Sequence, residues 1–311
     1  MEKQKEEYKD LGFGTKAAEK NQRLINPDGS FNVEITGQPL SERYHLYHNL
    51  IHMSWWRFAM MVVLFYLFGN LFFAAIYMAI GVEHLAGVIA ETYLEQFYEA
   101  FFFSAQTITT VGYGRISPTG FESSLVASIE SLLGLLGFAL ATGVLYGRFS
   151  RPEVKILYSQ QAVIAPYREE KAFMVRLANK RRSKLIELEV QVVFTRNENK
   201  NGKVIRQFYT LELERSKISL LPTSWTVVHA LSENSPLYNV TPSDLFESDA
   251  EFLVMLKAFD ETFSQTVYSR YSYKPSELVW DAKFSNIFGL TDTGKTTMEY
   301  DRFHEIEKLT L

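Results

Sequence analysis

Two long apolar runs dominate the pattern along this chain. Residues 58–80, FAMMVVLFYLFGNLFFAAIYMAI, hold no charge. As a helix they reach about 34 Å, enough to cross the roughly 30 Å hydrocarbon core of a bilayer. Residues 123–147, SSLVASIESLLGLLGFALATGVLYG, hold one charge, Glu130. Trp55, Trp56 and Arg57 precede the first run, as aromatic and snorkelling side chains do at a headgroup boundary. The competing reading, a buried helix of a soluble protein, fits neither the length nor the aromatic content.

Between the runs lies EQFYEAFFFSAQ, residues 95–106, helical in pattern but too short to span. Its length predicts a re-entrant helix. TITTVGYG, residues 107–114, comes next. Irregular backbone survives at membrane depth only where protein buries it or where it lines a watery cavity. Before the first span, SERYHLYHNLIHM (41–53) repeats Tyr44, Tyr47, Leu50 and Ile51 at helical spacing and predicts an interfacial amphipathic helix. His45, His48 and His52 share that helical spacing. A metal pair at His48 and His52 is one reading, and a polar face at the headgroups is the favoured one.

Beyond residue 150 the pattern changes. LIELEVQVVF (185–194), QFYTLEL (207–213), WTVVHAL (225–231) and EFLVMLKAF (251–259) are short alternating runs, which predict a β-sandwich. Charge refines the picture. Residues 81–122 contain one basic residue, Arg115, whereas Arg148, Arg151 and Lys155 follow the second span. The positive-inside rule then places both termini in the cytoplasm of a multi-pass protein of the cell (inner) membrane. A formal net charge of −4 over 311 residues argues against a general nucleic-acid binder. No cysteine is present, which excludes disulfides and thiolate metal sites. The charged start MEKQKEEYKD lacks the apolar core of a secretory signal.

Span, short helix, TxTTVGYG and span resemble the pore module of potassium channels. In such a module Gly112 and Gly114 adopt backbone conformations closed to other residues. The carbonyls of Thr110, Val111, Gly112 and Tyr113, with the Thr110 hydroxyl, then replace the water shell of a K⁺ ion. Gly114 completes the filter and Tyr113 packs outward. One chain supplies a quarter of each oxygen ring, so conduction requires a homotetramer. There is no arginine-repeat helix for sensing voltage and no strand–GxGxxG–helix for binding nucleotide.

MVRLAN (174–179), SPLYNVTPSDL (235–245), EFLVMLKAFDET (251–262), YDRFHEI (300–306) and the linker GRFSRPEVK (147–155) resemble the inward-rectifier potassium channel family, in its bacterial branch. The resemblance implies an N-terminal segment (1–40), a slide helix (41–54), a pore domain (55–150) and an immunoglobulin-like cytoplasmic all-β sandwich (151–311). Within the pore domain it implies span 1 at 55–80, the pore helix at 96–108, the filter at 109–114 and span 2 at 123–148. K⁺ is the expected permeant ion, with no cofactor, no metal beyond K⁺ at the filter carbonyls and no enzymatic activity. Expected partners are anionic lipids including phosphoinositides, and the pore blockers Ba²⁺, Mg²⁺ and polyamines.

Phe138, Thr142 and Tyr146 stand four apart on the second span, so one stripe faces the pore. Tyr146 is similar to the family's aromatic gate. Glu130 lies about 120° off that stripe and is expected to turn toward the pore helix near Gln106, behind the filter. Arg57, Arg148, Arg151 and Lys155 are the expected headgroup ligands; plain topology is their alternative. Glu187 and Glu261 match the family's acidic positions in the cytoplasmic pore. Phe138, uncharged, stands where strong rectifiers hold a carboxylate, so rectification is expected to be weak. Gly134, Gly137 and Gly143 permit either bending or close packing.

GLTDTGKT (289–296) satisfies the P-loop pattern. The segment after it, TTMEYDRF, is strand-like and the remaining chain is short, so DTGK is expected to be a hairpin turn. A membrane-anchored, non-conducting β-sandwich that binds proteins is the alternative function. The intact filter motif argues against it.

Overall fold

The computed structural model describes residues 12–13, 23–34, 36–37, 46–150, 155–180, 184–200 and 202–309. The chain divides into two compact units, residues 36–151 and residues 1–35 with 152–311.

The first unit is helical. Helix α1 (Leu46–His52) is followed by α2 (Trp55–Ile80). Tyr44 and His45 of the expected amphipathic helix lie outside the described residues. Helix α3 (Tyr93–Ile108) opens two residues before the segment read from hydropathy, because Thr92 and Glu95 form a capping box that satisfies two orphan amides. Helix α4 (Phe121–Phe149) also runs past the apolar stretch at both ends. Both α2 and α4 are long and apolar enough to cross a membrane. Two-residue strands β1 (Leu85–Ala86) and β2 (Ser117–Pro118) pair antiparallel on either side of α3 and close the loop that carries TVGYG. The core of this unit joins Phe73, Ala74 and Tyr77 of α2 to Ala100 and Phe103 of α3 and Ala127 of α4.

The second unit is a two-sheet sandwich. Its strands are β3 (Ile156–Tyr158), β4 (Ala162–Tyr167), β5 (Glu170–Asn179), β6 (Leu185–Lys200), β7 (Lys203–Leu211), β8 (Lys217–Leu220), β9 (Ser224–Ala230), β10 (Glu251–Asp260), β11 (Gln265–Tyr273) and β12 (Leu278–Trp280). One sheet runs β11-β10-β6-β7, with β8 also on β6. The other runs β12-β4-β5-β3, with β9 also on β5. All these pairs are antiparallel except β12 with β4. Phe173 of β5 and Phe252 of β10 stack with centroids 4.5 Å apart, one from each sheet.

Residues 23–32 strap onto this sandwich. Arg23 donates to the Ser272 carbonyl at 2.8 Å and pairs with Glu277. The amides of Leu24 and Ile25 donate to the buried Glu251 carboxylate. Near the C-terminus, β13 (Ala282–Phe284) pairs with β16 (Ile306–Lys308), and β14 (Phe288–Leu290) pairs with β15 (Thr296–Met298). The turn between β14 and β15 is DTGK: Thr291 N donates to Lys295 O at 2.9 Å and Gly294 has φ +77°. The P-loop pattern therefore sits on a hairpin without a helix to receive phosphate.

Candidate functional site

The filter segment hangs from the end of α3. Val111 N and Gly112 N both donate to the carbonyl of Gln106, at 2.9 and 3.3 Å, and Thr110 N donates to Thr107 O at 3.0 Å. The Thr107 and Thr109 hydroxyls return to the α3 carbonyls of Phe103 and Ala105, at 2.8 and 2.6 Å. Beyond this anchor φ is positive at every second residue: Thr110 +60°, Gly112 +53°, Gly114 +81°. Such alternation turns successive carbonyls toward one side instead of to opposite sides as in a strand. The two glycines were legible as permissive positions. Thr110 was not, since a β-branched residue at positive φ is an outlier held by its surroundings. Val111 and Tyr113 are 52% and 79% exposed in a single chain.

Behind the filter lies a buried polar network. Glu130 of α4 is fully buried; it accepts from the Tyr77 hydroxyl of α2 at 2.7 Å and the Ser104 hydroxyl of α3 at 2.5 Å. The Ser104 hydroxyl also lies 3.2 Å from Asn70 Oδ1 of α2. Glu130 thus faces α3 through Ser104, two residues before Gln106, while the Gln106 carbonyl is occupied by the filter amides. The sequence pattern did not single out Asn70, Tyr77 and Ser104. Asn70, a lone amide inside an apolar span, was the available signal.

Gly134 of α4 packs against the base of the filter. A Cβ there would lie 2.0 Å from the Ile108 carbonyl oxygen, whereas Gly137 and Gly143 have open space around them. Close packing is therefore the role of Gly134. Further along α4, Phe138, Thr142 and Tyr146 form an exposed stripe, Phe138 at 75% and Tyr146 at 74%. The Thr142 hydroxyl donates to Phe138 O at 2.9 Å.

The four basic residues read as headgroup ligands separate. Arg57 and Lys155 are exposed, and Arg151 lies outside the described residues. Arg148 is half-buried and committed to protein. Its guanidinium donates to the carbonyls of Leu50, Ile51 and Met53 at 2.5, 3.1 and 2.6 Å. It also lies over the rings of Trp55 and Phe58 at 4.6 and 4.8 Å. Arg148 caps the C-terminus of α1, where orphan carbonyls and the helix dipole favour a cation.

In the sandwich unit, Glu187 and Glu261 stand at the same end of the β6–β10 pair. Ala258 faces two residues of β6, because the register shifts between Lys257 and Phe259. Glu187 sits in that bulge with φ +50° and is exposed. Leu185 is inward-facing, so strict alternation would send Glu187 and Glu189 into the core as well. The extra residue lets Leu188, Val190 and Val192 point inward instead. Glu261 donates its amide to Lys184 O at 3.1 Å, and its carboxylate lies 3.7 Å from Lys184 Nζ. Among the described residues no group of three or more His, Asp or Glu is placed to hold a metal. The rings of His48 and His52 lie 4.2 Å apart on α1.

Comparison with known proteins adds the context of this geometry. Residues 156–311 match the model of the inward rectifier potassium channel C-terminal domain, and residues 60–151 match an ion channel model. The inward rectifier potassium channel Kirbac3.1 of Paramagnetospirillum magnetotacticum is 36% identical, over 94% of this chain and 98% of that one. The human ATP-sensitive inward rectifier potassium channel 15 is 28% identical, over 96% of this chain and 84% of that one. Inward rectifier potassium channel irk-1 of Caenorhabditis elegans is 25% identical, and the match covers 57% of its length.

Proposed function

The chain belongs to the inward-rectifier potassium channel family, and on that premise we propose how its parts conduct and gate. It is a membrane potassium channel, a homotetramer and not an enzyme. The carbonyls of Thr110, Val111, Gly112 and Tyr113 and the Thr110 hydroxyl form stacked oxygen rings that take the place of water around K⁺. The observation that carries this reading is the positive φ at Thr110, Gly112 and Gly114. The exposed Val111 and Tyr113 side chains support it as faces that neighbouring copies complete.

The exposed stripe on α4 supports a gate at Tyr146, with Thr142 and Phe138 lining the path above it. Four aromatic rings close such a path by excluding water. Both termini are cytoplasmic, with residues 151–311 as the cytoplasmic domain and residues 1–40 leading to the slide helix. Glu187 and Glu261 form acidic rings that concentrate cations. Phe138 gives polyamines and Mg²⁺ no carboxylate in the membrane, so rectification is weak. Arg57, Arg151 and Lys155 attract anionic headgroups, phosphoinositides among them, by about 1 kcal/mol each. Arg148 acts differently: it makes α1 and the gate end of α4 move as one piece.

Purified protein in liposomes tests the conduction reading. Rb⁺ or K⁺ uptake blocked by Ba²⁺, with little Na⁺ uptake, is expected, and Gly112→Asp abolishes it. Equal Na⁺ and K⁺ flux overturns the filter assignment.

A further inference from the structure

The end of the filter opposite α1 is its outer mouth, bordered by β1 and β2. We infer that Arg115 sorts cations by valence there, admitting monovalent ions and holding divalent ions back. The inference rests on the filter conducting K⁺ as proposed. Arg115 directly follows Gly114, so four copies surround the axis one residue beyond the last filter glycine.

Its placement is built. Gly87, at φ +87°, brings backbone so close that a Cβ would stand 1.8 Å from the Arg115 carbonyl oxygen. The Arg115 guanidinium donates to the Gly87 carbonyl at 3.3 Å and pairs with Glu99 of α3. Backbone and side chain are therefore both held. The Arg115 side chain is 53% exposed and that of Glu99 20%. The guanidinium is thus the more exposed end of this pair and the carboxylate the more covered one.

The surroundings have the opposite sign. Residues 81–122 contain Glu83, Glu91, Glu95, Glu99 and Glu122, against Arg115 as the only Lys or Arg. The acidic rim gathers cations of every valence. At physiological salt a charge acts over about 8 Å, so the ring nearest the filter governs the final approach. Repulsion by fixed charges scales with the charge of the ion. The factor by which a divalent ion is depleted is thus the square of the factor for K⁺. A mouth that depletes K⁺ about twofold thus depletes divalent ions about fivefold.

Planar-bilayer recording of the full-length tetramer, with Ba²⁺ added to one side at a time in symmetric K⁺, tests this. Parental K⁺ current, recorded first, checks the conduction reading separately. Arg115→Gln should lower the half-blocking Ba²⁺ concentration from the outer side about fivefold, less at high ionic strength, with inner-side block unchanged. Arg115→Lys, which keeps the charge, should retain most of the parental resistance. Glu99→Gln, which leaves the guanidinium unpaired, should raise the outer half-blocking concentration, and it decides the matter alone if Arg115→Gln does not assemble. Outer block that Glu99→Gln leaves unchanged, or Arg115→Gln block that shifts equally from both sides, would overturn the proposal.

Discussion

Tyr77 on the first membrane-crossing helix donates its hydroxyl to Glu130 on the second at 2.7 Å, within a buried site that also receives the Ser104 hydroxyl of the pore helix. One carboxylate thereby ties together the three helices that hold the filter. A buried polar group left without its partner costs about 1–3 kcal/mol. Glu130→Ala strands two hydroxyls and should lower the tetramer's thermal midpoint in detergent and its K⁺ flux together. Glu130→Gln, whose amide oxygen still accepts, should lose clearly less. Equal losses in the two variants would mean that packing, not hydrogen bonding, holds the site.

Gly134 touches the Ile108 carbonyl so closely that even a methyl group displaces one of them. Ile108 is the last residue of α3, two before Thr110. Gly134→Ala should reduce Rb⁺ uptake at least tenfold or admit Na⁺. Gly137→Ala and Gly143→Ala, with nothing within 4 Å in the chain, should alter uptake by no more than about twofold. Comparison of the three variants by ⁸⁶Rb⁺ uptake checks the assignment of Gly134 to close packing.

Arg148 holds three carbonyls at the end of α1 and lies over two aromatic rings. Lysine supplies one charge but neither the planar fork nor the stacking. Arg148→Lys should therefore uncouple α1 from α4 nearly as fully as Arg148→Gln. Both should show faster hydrogen exchange over residues 46–53 and a changed open probability in single-channel records. Full rescue by lysine would mean that charge alone matters at this position.

His229 bonds through Nδ1 to the Glu212 carbonyl at 2.6 Å and through Nε2 to the Ser235 hydroxyl at 2.7 Å. A carbonyl only accepts, so Nδ1 carries the proton and Nε2 accepts from Ser235. That is a neutral ring, and burial pushes its pKa below the ordinary 6.5. The unfolded chain takes up a proton below about 6.5, which the folded imidazole resists until lower pH. The contribution of His229 to stability is therefore complete above that value and is lost as pH falls through the folded pKa. Urea melts of the β-sandwich signal at pH 7.5 and 5.5 should show this loss. His229→Gln, less stable at pH 7.5, should show a smaller drop on acidification than the parent.

The sequence by itself determined the features that are local. Apolar runs of 23 and 25 residues announce membrane helices through length alone. TVGYG between a short helix and a span is a contiguous motif, and alternating runs after residue 150 announce strands because side chains alternate every two residues. The turn at DTGK was legible for the same reason: the residues after the motif are strand-like. Tertiary structure decided the rest. Thr110 takes a positive φ that its residue type disfavours, held by contacts of the filter with α3. The bulge that turns Glu187 outward depends on pairing with a strand some seventy residues away. Arg148 looked like one more basic residue at a membrane edge until the fold set the carbonyls of α1 beneath it. Glu130 found Tyr77 and Ser104, 53 and 26 residues distant along the chain. In each case the partner is remote in sequence, and a residue's hydropathy and propensity carry no record of which distant group will meet it when the core packs.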